Sequence, residues 1–182
     1  MLDAARIASR GVPVPVDLVD SDTVSFPVAL CVAAGYEARA AGGDQAAIAA
    51  AARATAEVVD SVFIVGAPQL ALRSGRLGGT IPEPTTILGL GPDGLVDHGT
   101  AVDIDDALSL MTERIRAAAL GRSLRVGVGD ADRTDLGDRL AALVEGATGI
   151  DELIRYEIGP SVGSHSGAGT VGAVWAPTSR GM

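Results

Sequence analysis

One stretch of this chain admits a single kind of secondary structure. After Asp103, which is placed to cap a helix, Ile104, Ala107, Leu108, Met111, Ile115 and Ala118 recur at three- and four-residue spacing. That is the stripe of a helix buried along one side. On both sides of it the pattern changes. Residues 85–90 and 95–99 flank a Gly91-Pro92-Asp93-Gly94 turn, and Leu124, Val126 and Val128 alternate beyond the helix, which predicts a hairpin and a further strand. A half-buried helix among half-buried strands must share a core with them, so the chain has to form a layered α/β or α+β fold.

The remaining segments fit that frame. Val14, Val16 and Leu18 alternate and run into Asp20-Ser21-Asp22, which predicts a buried strand ending in a turn. Helices are predicted over 27–41, stopped by Gly42-Gly43, and from an Asp44 cap to about Val59. A short apolar strand over 61–65 and one or two helical turns over 68–74, closed by Gly75, follow. Leu136, Leu140, Leu143 and Val144 mark another helix, residues 153–158 a strand, and 171–175 a last strand behind a Gly-rich loop over 159–172. The tail from Pro177 is predicted to fray. A boundary near Asp60 divides the chain into 1–60 and 61–182, with the last strand free to return to the first part. The hairpin breaks an otherwise parallel pattern, and there is no internal repeat.

Charge excludes several functions. The net charge is -9, and all fourteen basic residues are arginine. Nucleic acid and anionic membrane surfaces need clustered cations, so neither is an expected partner. Without lysine there is no Schiff-base chemistry and no P-loop lysine. Although 47% of residues are apolar, no run reaches the length of a membrane span, so no stable membrane insertion is expected. Asp3, Arg6 and Arg10 stand where a secretory signal would need apolar residues, and the one cysteine, Cys31, has no internal partner. A cytoplasmic protein is expected.

Candidate sites divide into those that local structure explains and those it does not. Gly89 to Gly94 spells GxGxxG, but a strand follows it, so it reads as a hairpin turn rather than a dinucleotide site. Asp103, Asp105 and Asp106 gather at a helix start, where the dipole alone favours carboxylates. Asp20-Ser21-Asp22 either positions a hydroxyl or metal at a strand end or simply forms a turn. Arg73 and Arg76 either hold a carboxylate or phosphate or cap helix carbonyls and tie two domains together. His98, on the hairpin, is predicted to be solvated.

The most unusual segment runs from Gly159 to Gly172. Its glycines leave backbone N–H groups accessible, and Ser164, His165 and Ser166 add directed donors, a set that suits an anionic head group. Tight turns, with His165 held by a backbone carbonyl, would account for the same residues. No GxSxG nucleophile elbow is present; in Gly163-Ser164-His165-Ser166-Gly167 a histidine occupies the serine's place.

Several of these segments, in this order, resemble the DegV family. Val16 to Ser25 is similar to its strand and turn. Leu70 to Gly78, with Arg73, Gly75 and Arg76, resembles its Gly-Gly-Arg link, and Gly91 to Gly94 its hairpin. His165-Ser166-Gly167-Ala168-Gly169 resembles its closing HTGPG loop. The chain departs from the pattern where Phe26-Pro27-Val28-Ala29 replaces a glycine-containing run, where Ala168 replaces the loop proline, and where Val102 stands in place of an arginine. The family's N-terminal hydroxyl-bearing loops have no counterpart, so the resemblance covers roughly the C-terminal two-thirds of the family's length. A sheet without its first strands would expose edges, which points to a longer chain, a covering partner or a domain that stands alone.

The resemblance implies an α/β fold: part of an N-terminal α/β/α layered domain plus a C-terminal mixed-sheet α+β domain. It implies a protein that is not an enzyme, needs no cofactor or metal, binds a long-chain fatty acid between its two domains and presents the carboxylate to a fatty-acid kinase. His165, Ser166, Gly167, Gly169 and Thr170 would bind the head group, and Arg73, Arg76 and Ser21 would make interdomain or head-group contacts. The alternatives are a truncated structural or regulatory relative without lipid binding and a hydrolase using His165.

Overall fold

The computed structural model describes residues 2–73, 85–91 and 94–178, and separates into two compact units, Met1–Val58 and Val59–Met182. In the first unit, helix α1 (Leu2–Ser9) precedes an irregular stretch and then α2 (Phe26–Ala40) and α3 (Gln45–Val58). The last two pack as a helical hairpin. Gly42 turns the chain at φ +89, and Asp44 caps α3 by accepting the Ala47 N–H at 2.9 Å. Gly35 lets α3 approach closely: a Cβ there would lie 3.3 Å from the Ile48 side chain.

The alternation over 14–19 does not become a strand. This segment is irregular, with Val14 62% and Val16 44% exposed. A strand exists only when a neighbour accepts its hydrogen bonds, and no strand forms among the described residues of this unit. The Asp20-Ser21-Asp22 turn does form: Asp20 Oδ1 accepts the Asp22 N–H at 3.3 Å, and Asp22 takes φ +46. That is the conformation aspartate tolerates best after glycine and asparagine.

The second unit is built on one six-stranded sheet. Its strands are β1 (Asp60–Ile64), β2 (Thr85–Gly91), β3 (Gly94–Ala101), β4 (Leu124–Asp130), β5 (Ile150–Glu157) and β6 (Val171–Pro177), in the spatial order β3-β2-β1-β6-β4-β5. Only β4 and β5 pair in parallel; every other neighbouring pair is antiparallel. β6 is bonded on both sides, to β1 and to β4, so it completes this sheet rather than returning to the first unit. Pairing directions place the carboxyl ends of β1, β4 and β5 at one end of the sheet, where β6 begins.

Helices α5 (Ile104–Ala118) and α6 (Thr134–Val144) cover one face. The predicted stripe supplies the core: Leu108, Met111 and Ile115 of α5 meet Leu136, Leu140 and Val144 of α6 over Val62, Val126, Val128 and Trp175. Asp103 Oδ1 accepts the Asp106 N–H at 2.8 Å, and Asp106 Oδ2 accepts the Val102 N–H at 2.9 Å. The acidic cluster is thus a reciprocal cap, with Asp105 paired to Arg139 of α6. The GxGxxG run lies in the β2–β3 hairpin. His98 is half-buried rather than solvated, because its ring lies over Gly89, where a Cβ would come within 2.4 Å of Nε2. The absent side chain leaves a seat that the imidazole fills.

Candidate functional site

The loop over 159–172 carries a short helix that periodicity did not reveal, α7 (Pro160–Ser166). Pro160 suits its first turn, and Gly167 ends it at φ +82, a conformation costly for other residues. Glycine and serine are weak helix formers, so this helix rests on its surroundings more than on its own propensity.

Those surroundings are the carboxyl ends of three strands. After β1, the Ala67 N–H donates to the Ser166 carbonyl at 2.9 Å, and the Gly66 N–H donates to Thr170 Oγ1 at 3.1 Å. After β4, Ala131 exchanges two backbone bonds with the loop, donating to Thr170 at 2.8 Å and accepting from Gly169 at 2.7 Å. After β5, the Ile158 N–H reaches back to the Asp130 carbonyl at 2.8 Å. The fit is close enough that a Cβ on Gly66 would lie 1.9 Å from the Ala168 carbonyl oxygen, and one on Gly167 2.3 Å from the Ala67 Cβ.

This geometry separates the predicted residues by what they do. Thr170 is buried, and its hydroxyl donates to the Gly167 carbonyl at 2.8 Å while accepting from Gly66. The Gly167 and Gly169 N–H groups donate to Gly163 and Ala131. The amides that sequence reasoning left open for an anion are spent bracing the loop, so these three residues shape it. The Ser166 and Ser164 hydroxyls donate back to the helix carbonyls of Val162 and Ser161 at 3.3 and 3.5 Å. His165 stands half-buried on the last turn of α7. Arg73 is exposed at the end of α4 (Pro68–Arg73), which packs beside α7. Arg76 lies outside the described residues, and Ser21 is half-buried in the irregular stretch of the first unit.

Three contributors escaped sequence reasoning. Asp130, at the end of β4 and 5% exposed, accepts Arg155 Nη2 at 2.7 Å and the Arg133 N–H at 3.1 Å. Arg155 also donates to the Val128 carbonyl at 2.7 Å and to Asp138 at 3.1 Å. Burial by itself would lower the Arg155 pKa, but Asp130 and Asp138 hold it above the ordinary arginine value. This cluster fixes the β4–α6 turn that carries Ala131. The third is Thr86 of β2, whose Oγ1 is enclosed without a hydrogen-bond partner among the described residues. A carboxylate directly after an alternating strand was the available signal for Asp130; nothing in the sequence marked Thr86.

On the sheet face opposite α5 and α6, register places Tyr156, Gly129, Gly172, Phe63 and Leu88 in one row across five strands. The Tyr156 ring covers Gly129, where a Cβ would lie 2.2 Å from Cζ. Two glycines between aromatic residues give that face a shallow apolar floor.

A mixed-sheet α/β unit with a glycine-turned helix set on its strand ends is therefore the class of protein that fold and site define. A model of the DegV family of uncharacterised proteins matches residues 1–178, and the chain belongs to that family. It is 28% identical to a DegV domain-containing protein of Streptomyces coelicolor over 181 residues, 94% of this chain and 64% of that protein. A DegV domain-containing protein of Mycobacterium tuberculosis is also 28% identical, over 176 residues covering 93% of this chain and 63% of its own length. The chain thus spans less than two thirds of these relatives. Among solved structures, a DegV family protein of Thermus thermophilus, described by its fatty-acid binding, superposes with a TM-score of 0.87 at 24% identity, over 97% of this chain and 66% of its own. A fatty-acid-binding DegV family protein of Streptococcus agalactiae gives 0.84 at 16% identity, over 97% and 65%. These likenesses establish the fold. No helix among the described residues is long and apolar enough to cross a membrane.

Proposed function

We propose that this chain binds a long-chain fatty acid whose carboxylate docks at the α7 loop, and that the whole protein presents that carboxylate to a fatty-acid kinase. The observation that carries the reading is the rigid loop at the strand ends. His165, on α7, is held there by bonds from Gly66, Ala67 and Ala131, beside a sheet end whose Phe63–Tyr156 face suits an alkyl chain. His165 contacts the head group, Ser166 joins it by turning its hydroxyl from the Val162 carbonyl to the carboxylate, Gly167, Gly169 and Thr170 hold the loop in shape, and Arg73 brings a cation from the adjoining helix. The fatty-acid binding described for the Thermus and Streptococcus proteins supports the ligand class. The kinase partner rests on the family resemblance alone, and a cytoplasmic setting on the charged start of the sequence and its single cysteine.

Native mass spectrometry of the freshly purified chain tests this reading. A retained acid of about C14 to C18, absent from His165→Ala, is the expected result. Equal occupancy in the variant removes His165 from the site.

A further inference from the structure

The Thr86 hydroxyl is unexplained by the fold. Its oxygen is shut off from solvent and finds no hydrogen-bond partner among the described residues. A buried hydroxyl in that state carries a desolvation penalty that folding does not repay, and native structures rarely tolerate it without a reason.

Register fixes where it lies. Phe63 pairs with Leu88 on one side and Gly172 on the other. One pleat nearer the carboxyl end of β1, the row therefore reads Thr170, Val65, Thr86. Alternation puts Thr86 on the face of Phe63 and Leu88, the one opposite α5 and α6. Thr86 and Thr170 are thus two strands apart, about 10 Å between backbones, with the β1 end between them. That end leads into Gly66 and Ala67, the residues on which Thr170 and Ser166 close. Thr170 has both its hydroxyl bonds made inside the protein. Thr86, at the same end of the same sheet, has none.

We propose that Thr86 Oγ1 is a ligand-binding group that donates a hydrogen bond to the fatty-acid carboxylate from the β2 side of the β1 end, across that end from the α7 loop. The proposal rests on the function proposed above and adds a binding residue to it. A carboxylate has lone pairs enough for both sides, and its arrival satisfies the one buried side-chain group left unpaired among the described residues. The chemistry predicts opposite effects of one substitution on two measurements. Thr86→Val keeps the shape and removes the hydroxyl, so it relieves the unliganded protein of its unpaired group while taking a bond from the complex.

The experiment uses the full chain, stripped of lipid, with palmitate as the probe, in wild type, Thr86→Val and Thr86→Ser. For Thr86→Val the unliganded melting temperature should be equal to or above wild type while palmitate affinity falls roughly tenfold. Thr86→Ser should bind within about twofold of wild type. A lower unliganded melting temperature in Thr86→Val, with or without weaker binding, would mean that the hydroxyl has an internal partner, and overturns the proposal. Unchanged affinity in Thr86→Val overturns it too, and leaves the fatty-acid reading standing. A wild type that binds no palmitate overturns both.

Discussion

Thr170 ties Gly66 to the α7 loop: its Oγ1 accepts the Gly66 N–H at 3.1 Å and hands its own proton to the Gly167 carbonyl at 2.8 Å. One buried hydroxyl thereby joins the end of β1 to the start of β6. In Thr170→Val the Gly66 N–H loses its acceptor, and the expected loss is about 1–3 kcal/mol. Thr170→Ser should recover most of it. Trp175, the only tryptophan and buried in the core, reports the transition in a denaturant titration. Identical midpoints for wild type and the valine variant would contradict the role given to this bond.

Gly66 is required for a different reason. The Cβ of an alanine there would stand 1.9 Å from the Ala168 carbonyl oxygen, and backbone on both sides cannot yield cheaply. Gly66→Ala should cost about 1–3 kcal/mol and displace the loop, lowering palmitate occupancy while far-ultraviolet circular dichroism stays native. Unchanged binding and stability would show that the loops do not approach this closely.

Asp130 and Arg155 brace the turn carrying Ala131. Asp130→Ala leaves the partly buried Arg155 with Asp138 as its remaining carboxylate partner, and a loss of about 2 kcal/mol is expected once solvent screening of the part-exposed guanidinium is allowed for. A double-mutant cycle with Arg155→Met should return a coupling of about 1 kcal/mol. A coupling of zero would make the pair a bystander.

His98 gives the stability a pH dependence. Burial, and then Arg114, lower its pKa, against the pull of Asp60 and Asp97. The folded state therefore takes up the proton less readily than the unfolded chain, whose imidazole titrates near about 6.5. The contribution is fully present above that value and is lost as pH falls through the lower folded value. Melting temperatures of wild type and His98→Gln, compared at pH 8 and pH 5, should show wild type losing ground in acid. A pH-independent difference would count against the buried placement.

Legibility followed the strength of the local signal. The α5 stripe, the Asp103 cap and the β2–β3 hairpin were readable because each is set by residues adjacent in sequence. The strand expected over 14–19 failed because alternation encodes a face and not a partner. Helix α7 was hidden by its composition, since contacts from Gly66, Ala67 and Ala131 hold a segment that glycine and serine would leave irregular. The candidate loop was found by its glycines, but not the division of labour within it. That His165 lies half-buried at the end of α7 while Thr170 and Gly169 brace the loop depends on β1 and β4, distant in sequence. Thr86 was invisible for the same reason: an unpaired hydroxyl is defined by its neighbours, and those are assembled only by the sheet.

The central claim is that this chain holds a fatty-acid carboxylate at the His165 loop. Calorimetric titration of the lipid-free chain with palmitate, beside His165→Ala, tests it most directly. Saturable binding at one site, at least roughly tenfold weaker in the variant as expected for loss of a bond to a charged group, is the result the account predicts. Absence of saturable binding in the wild type, or equal affinity in the two proteins, would contradict it.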